Sequence, residues 1–212
     1  MSKISALKSI PAWYTLCEIP FKAYVKALKP IYDVLEHKNN SKGEDDIFLK
    51  SIIISHSGLK QADWEAAEQQ RRYEKALQMK LGDFHEELMG SFAGYVNLPL
   101  GHETGCDVMK VDGTEVWEIK NRDNTMNSGS AKTVIDKLIV QKNAGKRAVL
   151  VLVNCDRATP PRFGAPTGID VLSGHRAYTE LSGRTSFFSD LNKVLAATFS
   201  AFKEYEDLQA IC

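Results

Sequence analysis

Several features are scarce in this 212-residue sequence, and each scarcity excludes a class of protein. No apolar run reaches the roughly 18 residues that a membrane-spanning helix requires, so no membrane partner is expected. The N-terminus lacks the long apolar stretch of a secretory signal, which favours a cytoplasmic location. The four cysteines show no metal-ligand spacing, and in that compartment they are expected to be reduced.

Net charge is also absent, because 27 basic residues balance 27 acidic ones. Proteins that coat nucleic-acid phosphates are usually basic overall, so the balance weighs mildly against a nucleic-acid partner. The distribution is uneven, however. Residues 118–147 carry seven Lys and Arg residues against three acids, so the cationic part of the chain lies there.

Apolar spacing predicts helices in the first part of the chain. Residues 1 to about 93 show three- and four-residue apolar spacing, with expected breaks at Pro30 and near Gly82 and an end around Gly94. Later, "RAVLVLVN" (147–154) is a short apolar run that is typical of a central strand buried on both faces. Length and composition fit a single domain that mixes helices and strands.

Three further segments complete the predicted element order. Ser128 is a candidate N-cap for the helix "AKTVIDKLIVQKNAG", which separates the hairpin described next from the buried strand. After a loop rich in Pro and Gly, "IDVLSGHRAY" is read as a strand, and residues 187–209 are read as one C-terminal helix.

A hairpin is predicted around Asp112-Gly113, the strongest short hairpin signal, between "CDVMKV" and "TEVWEIK". With these two residues as the loop, counting back along both strands places Asp107 directly across from Glu118. Because side chains alternate between the faces of a strand, Lys120 shares the face of Glu118. The residues expected to point to the opposite face, into the core, are Val108, Trp117 and Ile119.

Two opposed carboxylates repel each other at a Cβ separation of roughly 4.5 to 5.5 Å unless a positive charge lies between them. A hard divalent cation, Mg²⁺ or Mn²⁺, suits these oxygens and keeps positions for water and phosphate. Lys120 would then orient an attacking water or neutralise a pentacovalent phosphorane, which predicts phosphodiester hydrolysis. The alternative is a solvated strand face with a cross-strand salt bridge. Glu36-His37-Lys38 has the same spacing without an opposed Asp, and it is read as surface.

Three longer strings carry a resemblance to a known family. They are "GDFHEELMGSFAGYVNL" (82–98), "EIKNRDNTMNSGSA" (118–131) and "VLSGHRAYTEL" (171–181). In this order they resemble segments of the type II restriction endonucleases that cut GGNCC-type palindromes. The set of Asp107, Glu118 and Lys120 likewise resembles the core of the PD-(D/E)xK nuclease superfamily, with Cys106 where the name of that superfamily expects proline. The resemblance covers roughly residues 80–195.

The resemblance implies a fold and a chemistry. The fold would be a restriction-endonuclease-like core, a mixed central sheet flanked by helices, over residues 81–212. The helical region 1–80 is then a candidate dimer interface. Asp107, Glu118 and the backbone carbonyl of Ile119 would bind magnesium. Lys120 would position the water, and the cut would leave a 5′-phosphate and a 3′-hydroxyl.

One further acidic position is implied on the preceding helix. Glu87 matches the acid of the family and would complete the metal shell directly or through water. Its neighbour Glu86 departs from the expected amide, so which of the two points inward stays open. A solvated helix face is the alternative for Glu87.

Candidates for DNA contact are chosen by side-chain type, because Arg reads guanine and Asn reads adenine in the major groove, whereas Ser mostly contacts phosphate. The group that follows the hairpin comprises Asn121, Arg122, Asn124, Asn127 and Ser128. Helix capping is an equal alternative for Asn127. The second group, for which a plain surface role is the alternative, comprises Arg157, Arg162, His175 and Arg176.

The leading hypothesis is therefore a magnesium-dependent type II restriction endonuclease that acts on double-stranded DNA. A palindromic site is matched most simply by a homodimer, and a cognate DNA methyltransferase should protect the host genome. A structure-specific DNA repair or junction nuclease on the same core is one alternative. A non-catalytic DNA-binding module, in which the hairpin acids only make salt bridges, is another.

Overall fold

A computed structural model describes residues 10–36, 44–121, 128–155 and 167–212 of the chain. Its strands are β1 (Tyr95–Asn97), β2 (Val108–Lys110), β3 (Glu115–Lys120), β4 (Arg147–Leu152) and β5 (Asp170–Ser173). Its helices are α1 (Phe21–Glu36), α2 (Ile47–Ser57), α3 (Gln61–Met89), α4 (Ser128–Asn143), α5 (Gly174–Ser182), α6 (Phe187–Ala201) and α7 (Tyr205–Gln209).

The strands form one mixed sheet in the order β1-β2-β3-β4-β5. β1, β2 and β3 pair antiparallel, whereas β3, β4 and β5 pair parallel. The helix α4 connects β3 to β4, as a parallel crossover requires. The prediction of a mixed central sheet flanked by helices is confirmed.

The hairpin has the predicted register. Val108 pairs with Trp117 and Met109 with Val116, and Asp107 directly precedes this ladder. Two hydrogen bonds join Asp107 to Trp117 and Ile119, the residues on either side of Glu118. The loop is longer than predicted, because the strands end at Lys110 and begin at Glu115. Gly113 adopts a positive φ of 75° and donates its N–H to the carbonyl of Lys110, so the turn closes one residue earlier than predicted while the strand pairing keeps its register.

Both faces of the sheet are buried, as predicted for β4. One face, which includes Val108, Trp117 and Ile119, packs against the N-terminal and C-terminal helices in the larger core. The other face packs against α4, mainly through Val134 and Leu138. Glu118 projects into this second layer, so it is a buried carboxylate and not part of a solvated strand face.

Two predicted helix breaks are wrong. α1 continues through Pro30, and α3 continues through Gly82 and ends at Met89 instead of near Gly94. Proline and glycine weaken a helix locally, but tertiary packing overrides that preference here. In α1, buried residues lie on both sides of Pro30, among them Leu28 and Ile31, and their packing keeps the helix continuous through the proline.

The C-terminal part also differs from the prediction. "IDVLSGHRAY" is a short strand followed by α5, because the hydroxyl of Ser173 accepts the N–H of Arg176 and caps a new helix. His175 and Arg176 therefore lie on a helix and not on a strand. The single predicted C-terminal helix is two helices, since Phe202 takes an extended conformation and its carbonyl accepts the hydroxyl of Tyr32.

α3 crosses the predicted boundary at residue 80 between the N-terminal region and the core, and α1 packs along it. Within the described residues, no helix is both long enough and apolar enough to span a membrane.

Candidate active site

The hairpin and the strand β3 bring the predicted carboxylates together. Asp107 directly precedes β2, and its Oδ2 accepts the backbone N–H of Ile119 at 2.7 Å. The N–H of Asp107 in turn donates to the carbonyl of Trp117 at 3.0 Å. These two bonds lie on either side of Glu118, so the backbone of β3 fixes Asp107 opposite that residue.

Lys120 connects the two carboxylates. Its Nζ lies 2.6 Å from Glu118 Oε1 and 3.7 Å from Asp107 Oδ2. Burial, and next the charge of Asp107, raise the pKa of Glu118 above its ordinary value. Burial alone would lower the pKa of Lys120, but the charges of Asp107 and Glu118 outweigh it and raise that pKa. The lysine therefore stays positively charged beside the carboxylates.

A second lysine contacts Glu118 from the helical layer. Lys137 of α4 places its Nζ 2.5 Å from Glu118 Oε2 and 2.5 Å from the carbonyl oxygen of Gly105. Lys137 is one of the seven basic residues of the segment 118–147, and it was not among the predicted site residues. A signal was available, because positions 134, 137, 138 and 141 share one face of a helix and Val134 and Leu138 are apolar.

Glu86 and Glu87 of α3 have different surroundings. Burial, and next the charge of Asp107, raise the pKa of Glu86 to about 7, while Lys120 opposes the rise. Glu86 thus lies within electrostatic reach of the hairpin site. The carboxylate of Glu87 forms an ion pair with Lys26 of α1. Both glutamates line a cleft of about 460 Å³ that also includes Asp107.

A second cleft, of about 680 Å³, opens on the other side of Glu86. It is lined by Glu86, Ile119 and Lys120 and by side chains of α3 that include Lys75 and Gln78. Glu86 and Asp83 of α3 line both clefts, so the two clefts adjoin along that helix. Asp107 lines the first cleft and Lys120 the second, so both side chains border open space, whereas Glu118 is buried.

The oxygens of the hairpin site are donors that suit a divalent cation. Asp107 and Glu118 supply hard carboxylate oxygens, and a single ammonium already contacts both of them. The carbonyl of Ile119 points to the same side of β3 as its N–H, which faces Asp107. Among the residues that the structure describes, no three His, Cys, Asp or Glu side chains converge closely enough to hold a metal ion. The residues fit a cation that takes two carboxylates and completes its shell with other oxygens.

Asn121 is buried and its amide is engaged inside the protein. Its Nδ2 donates to the carbonyl of Gln78 at 3.1 Å, and its Oδ1 accepts Nδ2 of Asn154 at 2.6 Å. Asn121 therefore joins the end of β3 to α3 and to the end of β4. One N–H of its amide and its Oδ1 are thus engaged within the protein, while Asn121 also lines the second cleft, and its contact with DNA stays a prediction.

The other DNA-contact candidates divide into two sets. His175 and Arg176 are exposed on the first turn of α5, directly after β5. Lys120, Leu152 and Ser173 are in register across the three parallel strands. The first turn of α5 therefore begins at the carboxyl end of these strands, where Lys120 also lies. The backbone of Ser128 begins α4. The candidates that lie outside the described residues are Arg122, Asn124, Asn127, Arg157, Arg162 and the side chain of Ser128.

Comparison with known proteins identifies the family of the chain. Residues 46–202 match the family model of the Eco47II restriction endonuclease, and this range includes all five strands. The chain is 30% identical over 193 residues to Type II restriction enzyme Sau96I of Staphylococcus aureus, covering 82% of this chain and 71% of that protein. It is 22% identical over 184 residues to Type II restriction enzyme Eco47II of Escherichia coli, covering 74% and 76% of the two chains. This chain therefore belongs to the Eco47II restriction endonuclease family and is a type II site-specific deoxyribonuclease.

Proposed function

We propose that this enzyme is a magnesium-dependent restriction endonuclease with a PD-(D/E)xK core, which cuts double-stranded DNA at a GGNCC-type palindrome. The observation that carries the proposal is the opposition of Asp107 and Glu118 with the ammonium of Lys120 in contact with both carboxylates. The GGNCC-type site rests on the resemblance of the strings quoted above, in particular residues 118–131.

Asp107, Glu118 and the carbonyl of Ile119 would hold magnesium, whose chemistry is to polarise the phosphodiester and to acidify a water. Lys120 keeps its positive charge and orients that water or stabilises charge on the phosphate oxygens. Water attacks phosphorus, the bond to the 3′-oxygen breaks, and a proton reaches that oxygen. The products are a 5′-phosphate and a 3′-hydroxyl. Glu86 supplies a third carboxylate at the mouth of the site.

DNA would contact the cleft that Lys120 lines and the carboxyl ends of the parallel strands β3, β4 and β5. Lys75 lines the same cleft as Lys120 and suits a phosphate contact. His175 and Arg176 project from the same sheet edge and are candidates for base or phosphate contact. The same role is proposed for Asn121, Arg122, Asn124, Asn127, Ser128, Arg157 and Arg162.

A homodimer would match the two-fold symmetry of a palindrome with one active site for each strand. The exposed apolar face of α2 supports an interface in the N-terminal region. None of the α2 residues is buried, and Phe48 and Ile52 are 82% and 65% exposed. A second copy of the chain would cover this surface. The enzyme would act in the cytoplasm, where a cognate methyltransferase would protect the host genome.

The deciding experiment is digestion of a fully sequenced phage DNA with purified protein and magnesium, followed by sequencing of the fragment ends. We expect discrete ends that share one short palindrome and carry 5′-phosphates. Lys120→Ala should abolish them. The matched control Lys132→Ala replaces an exposed lysine of α4 and should cut normally. Random ends would favour a repair nuclease, and binding without cleavage in any divalent metal would favour a non-catalytic module.

A further inference from the structure

α4 makes direct contact with the active site through one face of the helix. Lys137 contacts Glu118 Oε2 and the carbonyl of Gly105, each at 2.5 Å. One turn later, Gln141 Nε2 donates to the carbonyl of Thr104 at 3.4 Å. The helix therefore holds two consecutive carbonyls of the segment that leads directly into Asp107.

The carboxylate of Glu118 lies between two lysine ammonium groups. Its side chain is only 2% exposed, and each of its two oxygens contacts a different ammonium, Lys120 at Oε1 and Lys137 at Oε2. A buried carboxylate requires a nearby positive charge, because desolvation strongly penalises an isolated one. Lys120 contacts Asp107 as well, whereas in the described part of the chain the carboxylate that Lys137 contacts is that of Glu118. Lys137 thus supplies charge to a single carboxylate.

We propose that Lys137 is a positioning residue that fixes the carboxylate of Glu118 and competes with the divalent cation for it. This inference rests on the proposed cation site at Asp107 and Glu118. In the absence of a cation, the ammonium of Lys137 neutralises Glu118 Oε2. A cation that binds Glu118 has to share this oxygen or displace the ammonium, so Lys137 sets the concentration of cation that the site requires.

Lys137→Gln separates this electrostatic role from a structural one. The amide retains an N–H donor for the carbonyl of Gly105 but carries no charge. Lys137→Arg keeps the charge. Lys132→Gln is the matched control, because Lys132 lies on the same helix, is 76% exposed and pairs with Asp136 away from the site.

The measurement is the rise in melting temperature of the DNA-free protein during a Mn²⁺ titration at pH 8. We expect the half-saturating Mn²⁺ concentration to fall on the order of tenfold in Lys137→Gln, because a competing positive charge is removed. Lys137→Arg should stay within about twofold of the wild type, and Lys132→Gln should be unchanged. A second readout is cleavage under saturating metal, where Lys137→Gln should lower kcat while the KM for DNA is retained.

Two outcomes would overturn the inference in distinguishable ways. If Mn²⁺ raises the melting temperature of the wild type but not of Asp107→Asn, and Lys137→Gln responds like the wild type, the cation site stands and the role of Lys137 is wrong. If Mn²⁺ does not change the melting temperature of the wild type, the proposed cation site itself fails and this inference fails with it. If Lys137→Gln does not fold, Lys137→Met replaces it, because methionine also removes the charge, and an unchanged half-saturating concentration in that variant would overturn the inference.

Discussion

Asp107 accepts the backbone N–H of Ile119 at 2.7 Å, so the first carboxylate of the site is attached to the strand that carries the second. A strand backbone is among the most rigid parts of a sheet, and this bond fixes the distance between the two acids before any ligand binds. Asp107 therefore has two roles: its Oδ2 accepts a backbone hydrogen bond, and its negative charge would hold the cation.

Asp107→Asn tests the charge alone. The amide oxygen still accepts the N–H of Ile119, so folding should be retained, but the variant lacks the negative charge that would hold the cation. We expect cleavage to fall at least on the order of 10²-fold with little change in melting temperature. Asp136→Asn, on the exposed face of α4, is the control. Wild-type cleavage by Asp107→Asn would contradict the assignment of the metal ligands.

Lys120→Met removes the ammonium that contacts both carboxylates. Cleavage should be lost, and stability should fall by about 1–3 kcal/mol, because two largely buried carboxylates lose a shared partner. Lys110→Met in the same hairpin removes the partner of Glu115 at the opposite end of β3 and should leave cleavage unchanged. Single-turnover cleavage and urea unfolding measure the two effects. Equal cleavage by the two variants would show that Lys120 has no special role.

Glu86 and Glu87 can be distinguished by pH. The pKa of Glu86 is raised from 4.5 to about 7, so the folded protein binds a proton that the unfolded chain releases. The stabilisation that results is complete below pH 4.5 and is lost as the pH rises through about 7. In Glu86→Gln, which cannot ionise, this loss disappears. The variant should therefore be more stable than the wild type at pH 8 without metal, by about 2 kcal/mol once the pKa shift is discounted for the partial exposure of Glu86.

Urea unfolding in a chelator at pH 5 and pH 8 measures this difference. Glu87→Gln is the matched control, because it removes the neighbouring carboxylate of the same helix, whose partner is Lys26. In cleavage assays, Glu86→Gln should be impaired more strongly than Glu87→Gln. A larger effect of Glu87 in both assays would return the acidic role to the residue that the family resemblance indicated.

His85 predicts the opposite pH dependence. It is buried, its Nδ1 is bonded to the hydroxyl of Tyr178 at 2.8 Å, and burial lowers its pKa to about 4. The unfolded chain therefore takes up a proton near pH 6.5 that the folded chain does not. The stabilisation is complete above pH 6.5 and is lost as the pH falls to about 4, to a total of about 3 kcal/mol.

His85→Gln should flatten the loss of stability between pH 6.5 and pH 4, because glutamine does not titrate in this range. Tyr178→Phe is a suitable comparison, since it removes the hydrogen bond but keeps the histidine, and it should retain the pH dependence. Denaturant unfolding at four pH values across this range is sufficient. An unchanged slope in His85→Gln would assign the acid sensitivity to other groups.

Phe48→Asp tests the proposed dimer interface on α2. A charge in the centre of an apolar interface should raise the dimer dissociation constant at least about tenfold, which sedimentation measures. Val140→Asp, at an exposed apolar position of α4, is the control and should leave the mass unchanged. A wild-type protein that sediments as a monomer at all concentrations would contradict the homodimer.

Local patterns in the sequence determined the parts of this protein that depend on neighbouring residues in the chain. The Asp112-Gly113 turn predicted the hairpin register and hence the opposition of Asp107 and Glu118, because strand side chains alternate with a fixed period of two. The apolar run at 147–154 predicted a strand buried on both faces. The quoted polar strings indicated the family.

Tertiary structure decided what local periodicity does not specify. The rotation of α3 about its axis determines the surroundings of Glu86 and Glu87, and that rotation follows from packing against α1 and the sheet. The same physical reason explains why Lys137 of α4 contacts Glu118 and why the amide of Asn121 is engaged inside the protein. Packing energy from many buried side chains also carries α1 through Pro30 and α3 through Gly82, where local propensity alone favours a break.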